Sequence, residues 1–205
     1  MDKKKLTPEE SFDIINKAIS NFKMNYKEGG KIFLLWGWIL TFASFSSFIL
    51  LSLLNRMEAH ELRAGNWELK GLFSIGIWVV FGLIGFIFMF FMNRKSNKVK
   101  KVYSHLDGYF KSLWTVTAAS FFIATILCIK LQIDPPPIML LIAGIGTTTS
   151  GLLIKFRPVI IGGMAFFVFS IASTFVSNEY IALIVGASII CGYLIPGYFL
   201  KSAKE

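Results

Sequence analysis

The side chains of this 205-residue chain best able to do chemistry are two histidines, two cysteines and the serines and threonines within its apolar runs. His60-Glu61 opens like the helical zinc motif of a metalloprotease, which needs a second histidine four residues after the first. Position 64 is Ala64, so the ligand pair cannot form, and Glu58, His60 and Glu61 read as a hydrated helix end. Cys128 and Cys191 form no Cys-x-x-Cys and read as small apolar residues. Gly144, Gly146 and Gly151 lack the Lys-Ser/Thr that a phosphate-binding loop requires. No histidine or lysine is placed to activate a serine, as nucleophilic catalysis demands. These residues predict no catalytic centre, no metal site and no cofactor.

The elements that position them belong to a membrane protein. The chain is 55% apolar and only 16% charged, with a mean hydropathy of +0.63, whereas a soluble domain carries roughly 25% charge. Six apolar stretches reach the roughly 17–25 residues that cross a bilayer: Ile32–Leu54, Leu72–Met92, Leu113–Leu131, Pro137–Ile154, Val159–Val176 and Ile181–Leu200. Five hold no Asp, Glu, Lys or Arg, and the third holds only Lys130, whose long stem can carry its ammonium to the interface. The runs are continuous and about twice the length of a barrel strand. The expected fold is all-α: a cytoplasmic amphipathic helix over residues 1–30, then a six-helix polytopic membrane domain over 31–205. The first apolar run starts only at Ile32, after a stretch rich in Glu and Lys, and is expected to act as an uncleaved insertion signal.

Basic residues are distributed unevenly about these spans. With a cytoplasmic N-terminus, the cytoplasmic segments hold 17 Lys and Arg and the outer segments hold 4, namely Arg56, Arg63, Lys70 and Lys130. The positive-inside rule then places both termini in the cytoplasm. The net charge of +9 is one-sided, and no nucleic-acid-binding motif accompanies it.

Two cytoplasmic segments carry helical patterning. Thr7, Pro8 and Glu10 make an N-cap, a first-turn proline and a capping box. Phe12, Ile15, Ile19, Phe22 and Tyr26 then recur every three or four residues on one face. Gly29-Gly30 is expected to break this helix before the first span. Such a helix lies among lipid headgroups, folds on its own bundle or docks a partner. Val99, Val102, Leu106, Phe110 and Leu113 repeat the pattern and run into the third span. Trp36, Trp38, Trp67 and Trp114 fall near span ends and read as membrane-interface anchors.

Within the spans the informative residues are small. Gly144, Thr148 and Gly151 share a face of the fourth span, with Thr147 and Thr149 beside them; Gly162-Gly163, Ser170 and Ser173 lie in the fifth; Gly186, Ser188, Gly192 and Gly197 lie in the sixth. Small residues admit close helix approach and hydroxyls bond across it, so tight packing of the last three spans is expected. The alternative is a polar path through them. Pro196 predicts a kink in the sixth span. No Asp, Glu, His, Lys or Arg falls near a span centre, which argues against a proton-coupled carrier, a pump and a voltage sensor. Trp38, Thr41, Ala43, Ser44 and Phe45 recur as Trp114, Thr117, Ala119, Ser120 and Phe121, the pattern of a duplicated two-helix unit.

The run Glu10-Ser11-Phe12, Ile15, Ala18-Ile19, Phe22-Lys23, Gly30 and Phe33-Leu34-Leu35-Trp36-Gly37-Trp38 resembles the start of a family of small multi-span membrane proteins of Bacteroidetes and related bacteria. The Leu-Leu-Trp-Gly-Trp run is its most specific part, and beyond it the match is in the number of spans. The resemblance implies a bacterial inner-membrane location with outer loops facing the periplasm, and it supplies no catalytic residue. The expected function is non-enzymatic: an accessory or regulatory membrane component, surrounded by lipid and working as a homo-oligomer or with a protein partner. Two other classes stand beside it, a transporter or channel for a small neutral or lipidic solute through the last three spans, and an enzyme acting on lipid.

Overall fold

A computed structural model describes residues 8–60, 67–96, 105–177 and 180–202, all in helices or the short turns between them. The helices are α1 Pro8–His60, α2 Trp67–Ser96, α3 His105–Leu131, α4 Pro135–Leu153, α5 Arg157–Ser173, α6 Ile181–Ile189 and α7 Ile195–Ser202, with a π-helical turn, Ile190–Leu194, joining the last two. Five segments are long and apolar enough to cross a membrane: Gly29–Arg56, Ile75–Met92, Gly108–Leu131, Pro135–Leu153 and Ile181–Ser202. The helix Arg157–Ser173 is as apolar but has 17 residues, about 26 Å at 1.5 Å per residue. It ends at Ser173, three residues before the expected limit at Val176, because the chain turns at Thr174–Val176.

The expected break at Gly29-Gly30 does not occur. α1 runs unbroken through both glycines, from Pro8 to His60. Glycine costs a helix only about 1 kcal/mol, which neighbouring turns absorb, and Gly30 has another task. A Cβ on it would lie 2.9 Å from the Lys201 backbone N and 3.2 Å from the Gly197 O. The glycine lets α7 lie directly on α1.

That contact begins an antiparallel pairing along the first span. Gly30 meets Lys201, Gly37 meets Leu194 and Tyr193, and Ser44 Oγ donates to the Ala182 carbonyl. α4 and α5 are likewise antiparallel, Gly144 facing Phe167, Thr148 facing Gly163 and Gly151 facing Ile160. The turn between them is a Schellman motif: Lys155 takes the left-handed conformation (φ 52°), its N–H bonds to Leu152 O and the Phe156 N–H bonds to Gly151 O. Gln132 (φ 53°) ends α3 in the same way, with Ile133 N–H on Cys128 O.

The core lies among α1, α4, α5 and the π-helical turn. Tyr193 stands edge-on to Phe166 at 4.9 Å and to Phe33 at 5.6 Å, and Phe33 stands edge-on to Trp114 at 6.4 Å. Such offset aromatic pairs contribute beyond the area they bury. Around this core α3 offers one buried stripe, Thr117, Ala124 and Cys128, and Gly146 of α4 fits against Thr117. α2 attaches through Gly85, on which the Trp36 ring rests. Leu83, Phe86, Ile87 and Phe91 on α2 are exposed, which a hydrocarbon surround tolerates.

Pro196 acts one turn ahead of itself. A proline inside a helix removes an N–H and its ring meets the carbonyl four residues earlier, here that of Gly192. The chain widens to a π-helix over Ile190–Leu194, so the predicted kink takes the form of a π-helical turn.

Candidate functional site

The residues expected to form either a packing seam or a polar path are brought together at α4, α5 and the π-helical turn, mostly as a seam. Gly144 lies under the Phe167 ring, Gly151 under the backbone of Val159 and Ile160, and Gly163 against the backbone of Thr148. On the other side of α5, Gly162 faces Pro196 and the carbonyls of Gly192 and Cys191. The backbone of the π-helical turn therefore lies so close to the Gly162 Cα that no side chain fits between them.

Most hydroxyls of the expected path bond to backbone. Ser170 Oγ donates to Pro137 O at 2.7 Å and ties the end of α5 to the start of α4. Ser173 donates to Ser170 O, Ser188 to Val185 O and Thr149 to Ile145 O. Thr147 Oγ1, Thr148 Oγ1 and Ser150 Oγ are different: they are buried with no hydrogen-bond partner among the described residues.

The tryptophans expected as anchors divide. Trp38 is 45% exposed, and its indole N–H donates to the Tyr198 hydroxyl at 3.3 Å. Trp36 covers Gly85 and meets Phe86 edge-on at 5.5 Å, and Trp114 packs on the core, so both also join helices. The side chains of Trp67 and of Phe12, Ile15, Ile19, Phe22 and Tyr26 lie outside the described part of the structure, as do residues 97–104. In Trp36-Gly37-Trp38 the three consecutive residues reach α2, the π-helical turn and α7.

Sequence reasoning missed the first span's share of the seam. Gly30, Gly37 and Ser44 are spaced by seven and all face the last span; that period was the available signal. The internal repeat does not extend to environment: Ala43 and Ser44 are buried, whereas Ala119 is exposed and the Ser120 hydroxyl turns to Val116 O. Among the described residues, no three His, Cys, Asp or Glu side chains gather in a metal-binding group.

The fold and these contacts define the class: a multi-pass helical membrane protein whose helices are held by glycine seams. No family model, curated protein or solved structure matches the chain.

Proposed function

We propose that this chain is a non-enzymatic component of a bacterial inner membrane, accessory or regulatory in role. It works through helix packing in the bilayer and through the cytoplasmic part of α1, with a second copy or another protein as partner and lipid around it. It crosses six times and keeps both termini in the cytoplasm. The carrying observation is the closure of α4, α5 and the last span by glycines seated on neighbouring backbone, which favours a fixed scaffold over a passage. The antiparallel pairing of the first span with the last supports an even number of crossings, with Arg157–Ser173 among them. The 17-to-4 division of basic residues supports the orientation. The resemblance at the N-terminus supports the choice of membrane. Conduction of a small neutral or lipidic solute has one observation in its favour, the unpartnered hydroxyls of Thr147, Thr148 and Ser150.

Two measurements test this reading. Affinity purification from native membranes in mild detergent is expected to recover a homo-oligomer or a stoichiometric partner; a lone monomer counts heavily against it. A reporter fused after Glu205 is expected in the cytoplasm. With Cys128 and Cys191 replaced by alanine, Asn66→Cys is expected to react with an impermeant thiol reagent from outside. Labelling only after the membrane is opened reverses the orientation.

A further inference from the structure

The contact between α1 and α7 ends in two like charges. Gly30 sets the α1 backbone against Lys201 N, Gly197 O and the Leu200 carbonyl carbon. Lys31 and Lys201 therefore leave neighbouring points of one seam, and both side chains are exposed. Two cations so placed repel unless an anion joins them. Among the described residues the one acidic side chain is Asp134, which precedes α4 at the far end of the bundle. Nearby in sequence, Lys27 with Glu28 and Lys204 with Glu205 balance in charge, which leaves the two lysines uncompensated. The same side of the seam carries an aromatic pair one to two turns deeper. Lys31 and Trp38 are seven residues apart and share a face of α1. Tyr198 and Lys201 are three apart and share a face of α7. The Trp38 indole N–H donates to the Tyr198 hydroxyl at 3.3 Å, so those two faces meet on one side. Both rings are exposed there, and Trp38 stacks on the exposed Phe42 at 5.8 Å. The Tyr198 hydroxyl accepts the indole bond and keeps its own O–H to donate.

We propose that Lys31, Lys201 and Tyr198 bind one anionic phospholipid, which joins the first and last spans at their shared end. The phosphate accepts from both ammonium groups, bonds that charge strengthens. An ester carbonyl accepts from the Tyr198 O–H, and an acyl chain lies along Trp38 and Phe42. Basic residues at a membrane surface attract anionic headgroups, and aromatic residues of this kind sit at headgroup depth. A lipid fits better than a free anion because the two cations border an exposed aromatic surface that an acyl chain covers. The site needs only a chain embedded in a bilayer, whichever protein partner it has.

Native mass spectrometry of the full chain in detergent tests the site, with dioleoyl phosphatidylglycerol and dioleoyl phosphatidylcholine as probes. One phosphatidylglycerol is expected to stay bound where phosphatidylcholine is lost. A lysine near the surface gives roughly fivefold in affinity for anionic lipid, so Lys31→Gln with Lys201→Gln is expected to weaken binding about 25-fold. Tyr198→Phe is expected to weaken it a few-fold, because one hydrogen bond goes. Lys155→Gln with Arg157→Gln removes the same charge from the α4–α5 turn, at the same end of the bundle, and is expected to leave binding unchanged. Equal losses in the two double variants would reduce the effect to overall charge and overturn the site, as would equal retention of the two lipids. The lipid-free thermal midpoint is expected to be the same with and without Lys31 and Lys201. A fall there would mean that the lysines hold the fold themselves, which also overturns the site. Inorganic phosphate at millimolar concentration is expected not to displace the lipid, and displacement would assign the lysines to a free anion instead.

Discussion

Gly163→Ala is expected to be far more damaging than one methyl group implies. The added carbon would lie 2.5 Å from Thr148 N and 2.8 Å from Thr148 Cα, as well as on Thr148 Oγ1. A side chain can rotate away, but the backbone of α4 cannot. The two helices must part by roughly 1 Å to restore ordinary contact, and the separation propagates to Gly144 under Phe167 and Gly151 under Ile160. Overpacking of this kind costs about 3 kcal/mol, or about 6–12 °C in thermal midpoint for a chain of this size. The measurement is thermal unfolding in detergent, followed by the reactivity of Cys128, which is buried in the native fold. Gly76→Ala and Gly82→Ala are the controls. Nothing lies within 4 Å of a Cβ at either position, so the midpoint is expected to hold or rise slightly through helix propensity. Adding Thr148→Ala to Gly163→Ala removes only the hydroxyl clash and is expected to recover a minor part of the loss. Full recovery would mean that the backbones are not in contact.

Gly30→Val is the second large effect, and its sign separates two roles for the same dipeptide. At a solvent-facing hinge with ordinary negative φ, replacing glycine leaves stability unchanged or raises it. In the observed contact, the new side chain meets Lys201 N, Gly197 O and the Leu200 carbonyl carbon, all backbone, at 2.9–3.3 Å. The first and last spans must move apart, and a loss of about 3 kcal/mol is expected. Gly29→Val is the matched control: its Cβ reaches only the end of the Leu200 side chain, at 3.4 Å, and the change is expected to be tolerated. Equal responses at Gly29 and Gly30 would remove the case for an α1–α7 clamp. The clamp matters for function because α1 extends without interruption from the clamp to Pro8. On the proposed function, a partner that moved that end of α1 would act on the last span.

For the hydroxyls of the alternative polar path, only part of the environment is legible in the chain. Thr147, Thr148, Ser170 and Ser173 are legible as hydroxyls within apolar runs. Which of them are matched depends on a partner sequence position that no pattern gives: Ser170 bonds to Pro137 O from another helix, and Thr148 rests on Gly163. Pro196 was legible as a disruption, because the missing N–H and the ring are local facts. That the disruption opens a π turn and sets Tyr193 edge-on to Phe166 and Phe33 is a consequence of α5 and α1 lying there.

Legible in the chain alone are the helical class, the positions of the long apolar segments within a few residues and the asymmetry of charge. These are properties of one segment against its solvent. A bilayer core demands a minimum apolar length and satisfied backbone from every spanning helix, whatever its neighbours do. The tertiary structure alone decided that Gly29-Gly30 is a clamp site rather than a break, that Gly30, Gly37 and Ser44 form a seam, and that Thr147 and Ser150 face the core. In water, the buried side of a helix is marked by apolar residues. In lipid every side is apolar, association rests on close fit and hydrogen bonds between helices, and that fit exists only once two helices are placed together.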